Sequence, residues 1–228
     1  RCGGPAMTPT TPVGGAVLAW GGGGNLGAWL QAWAGGGLNA RGVGVGGDRR
    51  QAQALHRAEM GGIEQFSLDP KAWPDRASFD AALFGRVAQS RPDLVVLAGY
   101  MRILDAGAVE AWQGRMINIH PSLLPRHRGL HTHRKALEQG DADHGTSVHY
   151  VSAELDGGPV IAQATTPIRS DDDETRLSER ILQLEHQLLP AVVSLIADGR
   201  LQWRQGMPWL DEQPLNTPLT WPFENAVA

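Results

Sequence analysis

One cysteine, Cys2, is all that this chain of 228 residues carries, so no internal disulfide framework is open to it and a reducing compartment suits it. Neither sign of charge dominates. Twenty Lys and Arg against 24 Asp and Glu leave a net charge of −4 and a pI near 6.1, which gives no general footprint for nucleic acid. No uninterrupted apolar run approaches the ~20 residues that a bilayer span needs. Arg1 to Pro12 has neither an apolar core segment nor amphipathic periodicity, so residues 1–12 read as a disordered or appended tail and not as a signal peptide. These absences set the expectations: a cytoplasmic protein with no nucleic-acid and no membrane partner. What is present is 42% hydrophobic residues against 19% charged, enough to bury the core of one large α/β domain or two small ones.

Along the chain, Ala16 to Trp20 is a short apolar run that stops at Gly21 to Gly24. Leu26, Trp29, Leu30 and Trp33 follow at helical spacing until Gly35 to Gly37, which predicts strand, glycine loop, helix. Val43 and Val45 suggest a second strand, weakened by glycine, and a helix is expected around Gln51 to Met60. Phe79, Leu83 and Val87 mark another helix, Leu94 to Ala98 a fully buried strand, and Met116 to Ile119 a further short one. Strands separated by helices imply a parallel sheet with right-handed crossovers. The second half differs. Thr146 to Val151 and Pro159 to Pro167 read as an antiparallel pair around the turn glycines 157 and 158. An acidic cluster, Asp171 to Glu174, precedes a long helical pattern from Leu177 to Ile196, where a solvated helix start outweighs a cation site. Leu201 to Arg204 suggests a last strand, and four prolines after residue 207 an irregular tail.

The most informative stretch is NIHPSLLPRHRG, residues 118–129, with ELDGGPV at 154–160. Asn118 and His120 lie two apart at the end of an apolar run, so an extended backbone turns both to one face. Pro121 forbids a continuing ladder, and Pro125 and Gly129 keep the chain in a loop. An amide and an imidazole are thus presented at a strand's C-terminal end, where open α/β sheets place ligands. Asp156, in a glycine-rich turn, can bring a carboxylate to that histidine. Amide, imidazole and carboxylate together suit acyl transfer through a tetrahedral oxyanion. His149, in the strand before the Asp156 turn, either lines the same pocket or is a satisfied strand histidine.

Gly22, Gly24 and Gly27 satisfy the dinucleotide pattern of glycines, with Asp48 near the end of the second strand, so a Rossmann-type oxidoreductase is a serious rival. The safer statement is that amides at a helix start make an anion site, with a plain tight turn as the bland reading. Six of the eight histidines fall between His120 and His149, yet they show no HExxH spacing and no accompanying cysteine, so no metal is expected. Met101, Arg102, Ile103 and Leu104 follow the buried strand and either line a pocket for a flat organic ligand or begin a packed helix. Glu185 interrupts the apolar face of the long helix, to bind a hydroxyl or to face solvent.

NIHPSLLP, GLHTHRKALEQGDADHGTSVHYV and ELDGGPVIAQ closely resemble the phosphoribosylglycinamide formyltransferase family, over about Ala16 to Leu210 and most strongly from Asp93 to Gln163. The resemblance implies a formyl transfer from 10-formyltetrahydrofolate to the amine of glycinamide ribonucleotide, in purine synthesis. It implies Asn118, His120 and Asp156 as the catalytic set with His149 in support. Gly23, Gly24 and Asn25 would hold the substrate phosphate region and Glu185 its ribose hydroxyls. Arg76, Met101 to Leu104, Asn118 and the backbone leading to Asp156 would line the folate site. The family's first loop usually reads Ser-Gly-x-Gly-Ser-Asn-Leu-Gln, whereas this chain has Trp20 to Gly27 with glycine at 24, and Gly47 replaces the usual serine at the second strand's end. A hydroxyl donor to phosphate is lost there, while the catalytic loop is intact.

The expectation is therefore an α/β formyltransferase fold, with a Rossmann-like parallel sheet extended by a smaller mixed or antiparallel C-terminal part. The domain spans residues 13–210, with a Rossmann-like half at about 13–115, a folate and catalytic half at about 116–210, and an irregular tail at 211–228. Its partners are small molecules, and it is a monomer or weak homodimer. Formyltetrahydrofolate deformylase is the nearest rival, but that family usually carries an N-terminal regulatory domain for which no room precedes Ala16. Methionyl-tRNA formyltransferase resembles a longer chain with a C-terminal barrel. A nucleotide-binding regulatory module would need the glycine loop but not Asn118, His120 and Asp156 together.

Overall fold

Leu94-Val95-Val96-Leu97-Ala98 has no polar residue, as a strand needs when both of its faces are covered. It forms β4 (Leu94–Ala98), buried at all five positions. The computed structural model describes residues 12–19, 25, 27, 40–47, 64–100 and 102–223, with 40–47 as backbone only. On one side of β4 lie, in parallel, β1 (Val13–Ala19), β2 (Ala40–Gly47) and β3 (Gln65–Ser67). On its other side β5 (Met116–His120) is also parallel, with Leu97 opposite Asn118. The sheet then turns antiparallel through β6 (Asp143–Tyr150) and β7 (Val160–Pro167). Among the described residues one sheet of eight strands runs β11-β7-β6-β5-β4-β1-β2-β3, its last edge being β11 (Leu219–Thr220), parallel to β7. The expected parallel half and antiparallel extension are both present, as one continuous sheet.

Alternation along the strands sends successive side chains to opposite faces. Val17, Val96, Ile117, Val148 and Ile161 pack on the face covered by α4 (Glu174–Ala197), through Leu188, Leu189 and Val192. Leu18, Val95, Leu97 and Met116 pack on the other face, against Phe79, Leu83 and Val87 of α1 (Arg76–Gln89). The acidic cluster proves to be a helix start: Asp173 caps α4 by accepting from Arg176 N at 2.8 Å, and Asp172 pairs with Arg180 at 2.5 Å. Two short helices went unread in the sequence, α2 (Ala106–Ala111) and α3 (Thr132–Gln139), the latter closed by Gly140 at φ 68°. The helices expected around residues 26–33 and 51–60 lie outside the described residues, apart from Asn25 and Gly27, which are helical.

The tail after residue 210 is not irregular throughout, which corrects that expectation. β8 (Leu201–Arg204), β9 (Met207–Leu210) and β10 (Gln213–Pro214) form a small antiparallel sheet, and Leu219–Thr220 reaches back to the main one. Pro214 lies in β10, an edge strand, where a missing ladder donor is tolerated, while Pro208 lies in the central β9, a strand of only four residues.

Candidate active site

The register of β5 on β6 sets Asn118 opposite His149 and His120 opposite Ser147. Directly opposed residues of an antiparallel pair have their side chains within reach, and Asn118 Nδ2 lies 3.1 Å from His149 Nε2. The other ring nitrogen settles who donates. His149 Nδ1 is 2.9 Å from the carbonyl of Tyr150, which can only accept, so Nδ1 carries the proton. In the neutral ring Nε2 is then a lone pair and receives one hydrogen of the Asn118 amide. Burial pushes the His149 pKa down, which favours that neutral form. The amide's orientation is thereby fixed, and its second N–H remains for a ligand.

Asp156 sits at φ 48°, a left-handed conformation unusual for a residue with a side chain and one that clusters at functional sites. Its Oδ2 accepts from Gly129 N at 2.9 Å and faces His120 Nδ1 at 3.6 Å, while Oδ1 lies 3.8 Å from His149 Nε2. His120 Nε2 donates to the carbonyl of His127 at 3.0 Å. Both ring nitrogens of His120 therefore face acceptor oxygens. The ring of His127 bonds Asp141 at 2.6 Å and so steadies the residue that offers this carbonyl.

The loop after His120 is tied from beneath. Ser147 donates its hydroxyl to Ser122 O at 2.6 Å and accepts from Leu124 N at 3.0 Å, and Gln163 Nε2 donates to Leu124 O at 2.9 Å. Thr146 donates to His120 O at 2.9 Å. Glu185 is buried on α4: its Oε2 accepts from Asn25 Nδ2 at 2.8 Å and its Oε1 lies 3.4 Å from the Thr146 hydroxyl. Burial raises the Glu185 pKa, with both of those contacts opposing. Of its two open readings, solvent exposure is thus ruled out. Ser147, Thr146 and Gln163 carry no catalytic signature in sequence; only the alternation of their strands could have singled them out.

A cavity of about 490 Å³ opens over Asn118, His120 and Asp156, with Tyr100, Ile103 and Leu155 among its walls. A smaller adjoining one, of about 60 Å³, shares Arg102, Ile103, Asn118 and Asp156 and adds Leu104 and His149. Arg102 to Leu104 precede α2 and are not helical, so the pocket-lining reading of this stretch is the one that fits. Arg76 stands apart from the residues that line these two cavities. It is the first residue of α1, directed to solvent just after the cap Asp75, and it lines neither cavity. Gly23, Gly24 and Met101 lie outside the described residues. No group of three or more His, Cys, Asp or Glu among the described residues is arranged to hold a metal ion.

A family model described as formyl transferase matches residues 15–193. The phosphoribosylglycinamide formyltransferase of Escherichia coli (strain K12) is 45% identical over 199 residues, which are 87% of this chain and 94% of that one. The Haemophilus influenzae protein of the same name is 36% identical over 200 residues, 88% of this chain and 94% of that one. Among solved structures, the phosphoribosylglycinamide formyltransferase of Coxiella burnetii superposes with a TM-score of 0.87 at 40% identity, covering 92% of this chain and 100% of that one.

Proposed function

This chain belongs to the phosphoribosylglycinamide formyltransferase family, and from that premise we propose how its side chains divide the work. The reaction is formyl transfer to the amine of glycinamide ribonucleotide in purine synthesis, and the family takes its formyl group from 10-formyltetrahydrofolate. The larger cavity suits a flat organic co-substrate with polar substituents, since Ile103, Leu130 and Leu155 line it together with Asn118, His120 and Asp156. Arg102, Ile103, Leu104 and the backbone before Asp156 would hold it, Met101 being added on the resemblance alone; Arg76 is left out of that wall.

The acceptor amine attacks the formyl carbon, the bond from that carbon to the folate nitrogen breaks, and the proton lost by the amine is matched by one gained at that nitrogen. Asn118, through its free N–H, and His120, when it turns from the His127 carbonyl, stabilise the negative charge that develops on the formyl oxygen. Asp156 holds His120 and accepts the amine's proton directly or through water. His149 orients Asn118. Asn25 and Glu185 hold the ribonucleotide, and on the resemblance alone its phosphate falls to Gly23 and Gly24. All these groups come from one chain, in keeping with a monomer or weak homodimer acting in the cytoplasm on small molecules. No helix among the described residues is long and apolar enough to cross a membrane.

The observation that carries the reading is the Asn118–His149–Asp156–His120 constellation at the mouth of an apolar cavity. The test is a formyl-transfer assay with 10-formyltetrahydrofolate, with and without glycinamide ribonucleotide, after dialysis against a strong chelator. Tetrahydrofolate should form only when the ribonucleotide is present, and with no metal added. Formate release without it would identify a deformylase, and activity restored only by zinc would bring the histidines back as ligands.

A further inference from the structure

We infer that Asp80, on α1, is a positioning residue for the co-substrate wall: its carboxylate fixes the end of the segment Arg102–Asp105. The inference rests on the assignment of that segment to the folate site. Residues 102–105 have no regular secondary structure and join β4 to α2. Two consecutive residues of α1 hold the segment at its two ends. The guanidinium carbon of Arg102 lies 5.0 Å from the centre of the Phe79 ring, and Asp105 N donates to Asp80 Oδ2 at 2.6 Å. Asp105 in turn caps α2 by accepting from Gly107 N at 3.0 Å, so helix and segment are set by one contact. Between these holds Ile103 stands 52% exposed and lines both cavities.

The cost of Asp80 argues for a function. It is 1% exposed, and its Oδ1 is buried with no hydrogen-bond partner among the described residues, as is Nε of Arg102. A carboxyl buried with half of its acceptors unused is unfavourable, and a helix needing only to pack would gain from leucine at that place. Burial raises its pKa, while the Asp105 amide and the Arg102 charge oppose the rise. What the carboxyl returns is order in a segment that has neither helix nor strand to order it. A wall fixed before the ligand arrives does not have to be ordered by binding.

The expected signature is confined to one substrate. Asp80→Ala should raise the KM for 10-formyltetrahydrofolate about tenfold, since a charge-assisted hydrogen bond is lost. The KM for glycinamide ribonucleotide and the saturated kcat should stay within about threefold. Asp80→Asn keeps an oxygen for the Asp105 amide and should return the folate KM to within about threefold of the parent. Should Asp80→Ala fail to fold by circular dichroism, Phe79→Leu removes the other hold and should raise the folate KM severalfold. A folded Asp80→Ala or Phe79→Leu protein with the parent folate KM overturns the inference, as does an Asn variant no better than Ala. Ile103→Asp is the control for the underlying assignment. If it leaves the folate KM unchanged, the wall is not the folate site; if it weakens folate while Asp80→Ala does not, the positioning role alone falls.

Discussion

Asn118 has one amide hydrogen committed to His149 and one left for a ligand. Asn118→Ala, His120→Ala and Asp156→Ala should each lower kcat by about 10²–10³, the usual cost of one oxyanion-stabilising group, with losses that do not multiply. His149 acts at one remove. His149→Leu leaves the amide of Asn118 free to rotate, so kcat should fall about tenfold while the fold stays intact. In the double variant with Asn118→Ala that tenfold should vanish, because nothing is left to orient. Steady-state kinetics on the four proteins of this cycle decide the matter. Independent, additive losses would mean that His149 works through some other group.

The strand pair β6–β7 holds the site through glycine as much as through its polar residues. A Cβ on Gly158 would stand 1.8 Å from the carbonyl oxygen of Tyr150, the atom that accepts from His149 Nδ1. Gly158→Ala should therefore cost about 3 kcal/mol or more in stability and lower kcat in whatever protein folds. Gly140 closes α3 at φ 68° with nothing within 4 Å of an added Cβ, so Gly140→Ala should cost only about 1 kcal/mol and leave kcat unchanged. Chemical denaturation of both variants beside the parent measures the contrast; equal losses would show that the close approach at Gly158 is not what matters. The elements legible in sequence were those with continuous or periodic apolar patterns, such as Leu94 to Ala98 and the run from Leu177 to Ile196. Asn118, His120 and Asp156 stood out by residue type beside proline and glycine. What stayed hidden depends on strand order. That His149 faces Asn118, that His127 offers a carbonyl to His120, and that Leu219–Thr220 returns to β7 are facts of pairing between distant segments, which spacing along the chain does not encode. Arg76 was placed by resemblance alone, and its position at the start of α1 keeps it out of both cavities.

At the scale of the molecule, burial of histidines ties stability to pH. The pKa values of His133, His144 and His149 are all lowered, chiefly by burial, and that of His144 is pushed down to about 4 from 6.5. Below pH 6.5 the unfolded chain takes up protons that the folded one refuses, so stability is full above that pH and declines as pH falls toward about 4. Asp80 and Glu185, raised by burial, act the other way: they favour the folded state in acid and lose that contribution as pH rises past their unfolded values. Thermal melts of the parent and His144→Gln between pH 7.5 and 5 isolate one member, and the variant should lose about 1–2 kcal/mol less over that range. Identical slopes would remove His144 from the account. The return of the tail to the main sheet has a different consequence, for the protein in company. Leu219 and Thr220 pair with Ala162 and Gln163, and Trp221 N donates to Gln163 O at 2.8 Å, covering the outer hydrogen-bonding edge of β7. An uncovered strand edge is a template for another chain. Deleting residues 216–228 should make the protein self-associate as its concentration rises, by strand addition at β7, which sedimentation velocity would show as a growing heavy species; a truncated protein that stays in a single monomer peak at all concentrations would refute this. On this account Leu219 and Thr220 guard the molecule against polymerisation.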